Sequence, residues 1–230
     1  MRLVSEESEV QSNTVLSKTT MAGIAMLAWF ALALQLFLMI QGAGSDGGAI
    51  LRATVNYFSF FTISTNLLVA VGLSFRFVFS ESRWGRFFLR PTVQSATAVY
   101  IAVVGITYSL LLRHLWNPQG AQKIADVLLH DAVPLTYVIF WLVFVPKAAL
   151  QWIHAVQWLA YPVAYMVYTL IHGLLSGWYP YYFIDVGALG LPRALGNAAG
   201  MLVFFFGMAL LVVANGRWLA HRAPATASNK

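Results

Sequence analysis

Six runs of about 20 apolar residues decide most of what this chain can fold into. A helix needs about 20 such residues to cross a hydrocarbon core of about 30 Å. Runs of that length lie at about 22–42, 56–78, 93–112, 126–146, 152–175 and 195–215. Of the 230 residues 60% are apolar and 10% charged, against roughly 25% charged in an average soluble domain. The pattern predicts an all-α, polytopic integral membrane protein with six transmembrane helices and short connections. It divides the chain into a leader (1–20), a six-helix transmembrane domain (21–216) and a tail (217–230), with Ala223–Lys230 small, polar and expected to be disordered. The first run exceeds the 7–15 residues of a signal-peptide core, and its leader carries Glu6, Glu7 and Glu9, so it reads as a retained helix. No internal repeat or soluble domain is visible. The absence of cysteine excludes disulfides, thiolate metal sites and a Cys nucleophile.

The formal net charge of +6 would suggest nucleic acid in a soluble protein. In a membrane protein the excess marks cytoplasmic faces. With the N-terminus inside, the cytoplasmic segments hold Arg2, Lys18, Arg76, Arg83, Arg86, Arg90, Lys147, Arg217, Arg222 and Lys230; the outside holds Arg52, Arg113, Lys123 and Arg193. Both termini are therefore expected inside. Arg83, Arg86 and Arg90 can also meet anionic headgroups.

Polar side chains inside the spans each need a reason, because hydrocarbon offers them no partner. On the second helix Ser59, Thr62, Thr65 and Asn66 share one face, and counting 1.5 Å per residue from Asn56 puts Thr62 about 9 Å deep and Asn66 about 15 Å deep. The fourth helix carries Asp126, His130 and Pro134 at i, i+4 and i+8, with Asp131 beside them. On the fifth, Tyr161, Tyr165, Tyr168 and His172 form a stripe that leads into the aromatic run Gly177–Asp185, and Asn197 opens the sixth at the same level. Tyr108 on the third helix joins these candidates. The polar set thus concentrates in the outer third of the membrane. The plain alternative is interhelical hydrogen bonding worth about 0.6–2 kcal/mol per contact, which is the reading for Gln35 on the first helix.

Such a set can support acyl transfer. Thr62 or Ser59 supplies a hydroxyl nucleophile, His130 a base, and Asn66, His172 or a tyrosine the oxyanion donors, with Asp131 or Asp185 orienting a histidine. At that depth the substrate would be a lipid ester entering laterally. Three other classes compete. A zinc hydrolase could draw on His114, His130 and His172 with Asp131 or Asp185, but no two of these histidines are spaced i, i+4. A transporter usually shows paired broken helices, and Pro134 and Pro162 belong to no repeat. A non-enzymatic protein would use the same polar set to hold a lipid headgroup.

Three segments carry a resemblance. Tyr57-Phe-Ser-Phe-Phe-Thr-Ile-Ser-Thr-Asn-Leu-Leu68, Tyr161-Pro-Val-Ala-Tyr-Met-Val-Tyr-Thr-Leu-Ile-His-Gly173 and Gly177-Trp-Tyr-Pro-Tyr-Tyr-Phe-Ile-Asp185 resemble the bacterial six-pass Pr-six-Pr family. That family is similar to the androgen-induced transmembrane proteins, whose members include hydrolases of fatty acid esters of hydroxy fatty acids. The likeness spans roughly residues 20–215. It implies a multipass hydrolase with a threonine nucleophile on the second helix and a histidine on the fourth. The histidine carries over to His130, which precedes Ala132-Val133-Pro134; the threonine matches Thr62 best, with Ser59 and Thr65 one helical turn to either side. Tyr182 stands where such sequences usually have a second proline, and His172 where they often have arginine. The resemblance implies a membrane lipid or fatty acyl ester as substrate and the bacterial plasma membrane as location. The expectation is a threonine-type lipid esterase without metal, cofactor or nucleic-acid partner.

Overall fold

The computed structural model describes the backbone of residues 2–222 and the side chains of residues 14–222. The tail expected to be disordered, Ala223–Lys230, lies outside the described residues. All described regular structure is helical, and six helices are long and apolar enough to cross a membrane: Thr14–Ala43, Phe61–Val78, Pro91–Leu115, Gly120–Phe144, Trp152–Ser176 and Leu191–Arg222. Hydropathy places the same six, cut shorter at several ends because helices continue beyond the apolar stretch. Helix α1 (Arg2–Ala43) runs through the leader and the first span as one piece.

One expectation needs correction. The run 56–78 is not a single helix: α2 (Gly47–Ser59) ends before Phe60 and α3 (Phe61–Val78) begins after it. Most of the expected 43–55 loop is therefore helical, and Thr62 stands at the head of a span rather than six residues into it. The Tyr165 hydroxyl closes the gap, donating to the Ser59 carbonyl at 2.9 Å and accepting from the Phe61 N–H at 3.1 Å. A break that would strand backbone groups in an apolar setting is thereby satisfied.

The chain divides into two compact units, the first comprising Met1–Phe58 and Thr62–Val145, the second Ser59–Phe61 and Pro146–Lys230. In the first unit α4 (Arg83–Phe88), capped by the Ser82 hydroxyl on the Gly85 N–H, leads into α5 (Pro91–Thr107). Pro91 suits the first turn, where an N–H has no intrahelical partner. α6 (Gly120–Val127) and α7 (Val133–Phe144) follow, and α5 packs along α7 while α1 packs on both α6 and α7. Ala25, Ala28 and Ala31 give α1 a buried small-residue face that lets backbones approach. Side-chain hydrogen bonds tie the helices: Trp29 to Ser74, Gln122 to Gln35, Trp141 to Ser95, and Tyr57 to the Leu32 carbonyl. Gln35 is thus packing glue. Burial pushes the Tyr57 phenol up to about 12, so it remains a neutral donor.

The second unit holds α8 (Trp152–Gln157), α9 (Ala160–Ser176), α10 (Val186–Leu189) and α11 (Leu191–Arg222), with α11 packed on α8 and α9. Gly177, at φ +70°, ends α9 in the left-handed conformation that glycine adopts without steric cost.

Candidate functional site

His130 is the centre of the polar cluster in the first unit. Pro134, four residues on, has no N–H to give the His130 carbonyl, and its ring would crowd that carbonyl in a regular helix. The chain answers with a π-helical turn over Leu128–Ala132, and a second spans Tyr108–Leu112 at the end of α5. Gly105 lets the two helices meet: a Cβ there would lie 3.1 Å from the His130 carbonyl oxygen and 3.3 Å from Pro134 Cβ. Across this contact the Tyr108 ring stacks on the imidazole, centroids 3.8 Å apart and planes within 12°.

The ring is held by Asp126. His130 Nδ1 lies 2.9 Å from the Asp126 carbonyl oxygen and 3.2 Å from its carboxylate Oδ1. A carbonyl only accepts, so Nδ1 carries the proton and the neutral ring keeps its lone pair on Nε2. The N–H is aimed at the carbonyl, and Oδ1 receives no hydrogen bond among the described residues; the carboxylate lies beside the ring without bonding to it. Its other oxygen accepts from the Tyr108 hydroxyl at 2.6 Å, and that hydroxyl accepts from the Trp116 indole at 3.3 Å. Asp131, expected as the orienting acid, instead pairs with Arg113, whose guanidinium lies 5.1 Å above the Tyr108 ring.

Thr62, Thr65 and Asn66 are all buried in the same unit. The Asn66 Nδ2 donates to the Thr62 carbonyl at 2.8 Å and to the Leu129 carbonyl at 3.2 Å, so one amide joins the candidate threonine's backbone to the residue before His130. Two flanking carbonyls fix which end of the amide is nitrogen. Both N–H groups are spent, and Asn66 is not available as the oxyanion donor expected from the sequence. Its Oδ1 meets no donor among the described residues.

His130 also lines an open groove of about 510 Å³ between α5 and α7, where Ser109 and Asp131 share its end and Ile106, Leu135 and Val138 continue it. The imidazole is 14% exposed. A titratable ring is thus reached from an apolar surface.

The remaining candidates belong to the second unit. Ser59 is buried there, its hydroxyl 2.7 Å from that of Tyr168. Tyr165 is engaged at the helix break. His172 sits between the rings of Tyr168 and Trp178, with centroids at 5.7 and 5.9 Å. Asp185 accepts from the Ala188 N–H and caps α10; Asn197 donates to the Phe183 carbonyl at 2.8 Å. These two hold the aromatic segment in place.

No three His, Asp or Glu side chains gather as metal ligands among the described residues. Asp126 is the residue the sequence reading left without a role, although its i, i+4 spacing to His130 was the available signal. Arg113 and Trp116 carried no signal, since both lie beyond the apolar run. Fold and site together define a multi-span helical membrane protein with an aspartate-held histidine on an open, mostly apolar groove. Compared with known protein families, curated proteins and solved structures, the chain matches none.

Proposed function

We propose that the protein is a multi-pass lipid-ester hydrolase of the plasma membrane, with both termini cytoplasmic, Thr62 as nucleophile and His130 as base. The observation that carries this reading is the imidazole itself: Nδ1 is tied to buried Asp126, Nε2 is the basic nitrogen, and the residue borders an apolar groove where an acyl lipid can lie. The Asn66 link between the Thr62 and Leu129 carbonyls supports the pairing with Thr62, and the sequence resemblance points to the same two residues and to fatty acyl esters.

In this reading the Thr62 oxygen forms a bond to the ester carbonyl carbon as Nε2 takes the hydroxyl proton. The carbon–alkoxy bond breaks and the alcohol leaves with that proton. Water then attacks the acyl-threonine by the same route, releasing a fatty acid and restoring the hydroxyl.

A binding protein without chemistry is the second reading. The spent N–H groups of Asn66 and the engaged hydroxyl of Tyr108 favour it, because neither remains for an oxyanion.

Fatty-ester hydrolysis by the purified protein in detergent, with melting curves alongside, separates the two. His130→Ala and Thr62→Ala should each lower turnover by about 10²–10⁴-fold while remaining folded. The double variant should be little worse than either, as residues acting in one step are not additive. Full turnover in His130→Ala would end the mechanism through His130, and absence of ester hydrolysis by the parent protein would leave the binding reading.

A further inference from the structure

We propose that the groove between α5 and α7 is a binding site for one linear acyl chain of a neutral ester, carbonyl end beside His130 and methyl end at Ala102 and Val138, which set the longest chain accepted. The ester chemistry rests on the hydrolase reading; the chain site does not.

The groove is polar at one end only. Ser109, His130 and Asp131 lie at that end, and Ala102 and Val138 lie eight residues along α5 and α7 from Leu110 and His130. At 1.5 Å per residue this gives a trough of about 12 Å leading away from the imidazole. Its size falls within the roughly 300–1,000 Å³ of small-molecule sites. An amphiphile with one polar group and one chain is the shape that matches such a gradient.

A comparison sharpens the assignment. The second unit has a groove of about 580 Å³ lined by residues such as Val203, Phe204, Gly207 and Met208, with no charged side chain along it and the Trp152 indole as its one group able to hydrogen-bond. Lipid tails can fill both in a membrane, but of the two only the α5–α7 groove ends at a histidine, a hydroxyl and a carboxylate.

Charge selects the neutral class. The guanidinium at the polar end, Arg113, is already paired with Asp131. Little net positive charge is left there for a phosphate or a free carboxylate.

The test uses the full-length protein in detergent and decanoate methyl ester, whose extended chain matches the trough, carrying a photoreactive diazirine near its methyl end. Photolysis should label α5 and α7 around Ala102 and Val138 above the control groove around Phe204, and unmodified decanoate methyl ester should compete. Ala102→Trp and Val138→Trp, from facing helices, should each remove that labelling and raise KM for the decanoate ester by about tenfold or more. Equal labelling of both grooves overturns the site. Stronger competition by free decanoate or by a phospholipid overturns the neutral-ester assignment. Selective labelling in a protein that hydrolyses no ester supports the chain site and removes the hydrolase reading. If either Trp variant fails to fold, the other decides; if both fold and still label, the proposal fails.

Discussion

His130 depends on the residue one helical turn before it and not on its neighbour. Residues at i and i+1 project about 100° apart, whereas i and i+4 share a face. Asp131 therefore turns away to Arg113, and Asp126 meets the ring at Nδ1. Adjacency in the sequence suggests the wrong acid; helical phase would have suggested the right one. The stacking of Tyr108 was not legible, because it requires two π-helical turns to align across a helix pair. The arrangement also limits what Asp126 does. Where an aspartate alone sets a histidine's tautomer, its change to Asn costs about 10⁴-fold in turnover. Here the backbone carbonyl holds the Nδ1 proton and would still do so in Asp126→Asn. That variant should lose only the carboxylate's stabilisation of the imidazolium, with turnover down on the order of 10–100-fold, below the tautomer-linked loss. Nitrogen-15 NMR of labelled histidine should show the same Nδ1–H tautomer in both proteins. A tautomer switch in Asp126→Asn would show that the carboxylate, not the carbonyl, positions the ring.

At the scale of elements, the break at Phe60 is where local pattern fails. Phe60 is as apolar as its neighbours, so hydropathy runs straight through it, and the hydroxyl that satisfies the gap belongs to Tyr165, more than 100 positions away. Six spans were legible because each is encoded in its own stretch; the interruption is encoded in the pairing of two stretches. Tyr165→Phe removes both bonds while keeping the ring against Phe61. It should destabilise the protein by about 1–3 kcal/mol, and protease cleavage near Phe60 should become faster than in the parent. Gly173 marks another pairing that sequence alone does not show. A Cβ at this position would lie 2.0 Å from Tyr179 Cε1, so the ring rests on bare backbone. Gly173→Ala should cost about 1–3 kcal/mol by overpacking. Adding Tyr179→Ala makes room, and the double variant should melt above Gly173→Ala alone. If the two losses simply add, the close approach is not what requires glycine there.

For the whole molecule, orientation is the quantity on which every statement of inside and outside rests. It comes from the sequence, because a helical bundle viewed without its bilayer carries no sign of which face meets the cytoplasm. Lys and Arg supply that sign: they are retained on the cytoplasmic side of short loops, while Asp and Glu contribute little. Among the 14 basic residues, those between α3 and α5 weigh most, since Arg83, Arg86 and Arg90 crowd one short connection. Arg52, Arg113, Lys123 and Arg193 are spread over three connections on the opposite side. Arg113 is moreover paired with Asp131, which reduces its weight as a retention signal. The expected arrangement has both termini cytoplasmic and the polar end of the α5–α7 groove near the outer surface. The chain has no native cysteine, so single replacements report without background. A cysteine at Asp46, exposed at the start of α2, should react with an impermeant maleimide added to intact cells. A cysteine at Glu81, exposed in the turn before α4, should react only after the membrane is opened. Reversal of both results would place the His130 end of the groove at the cytoplasmic leaflet. An ester substrate would then have to be drawn from that leaflet, and its released fatty acid would be delivered to the inside of the cell.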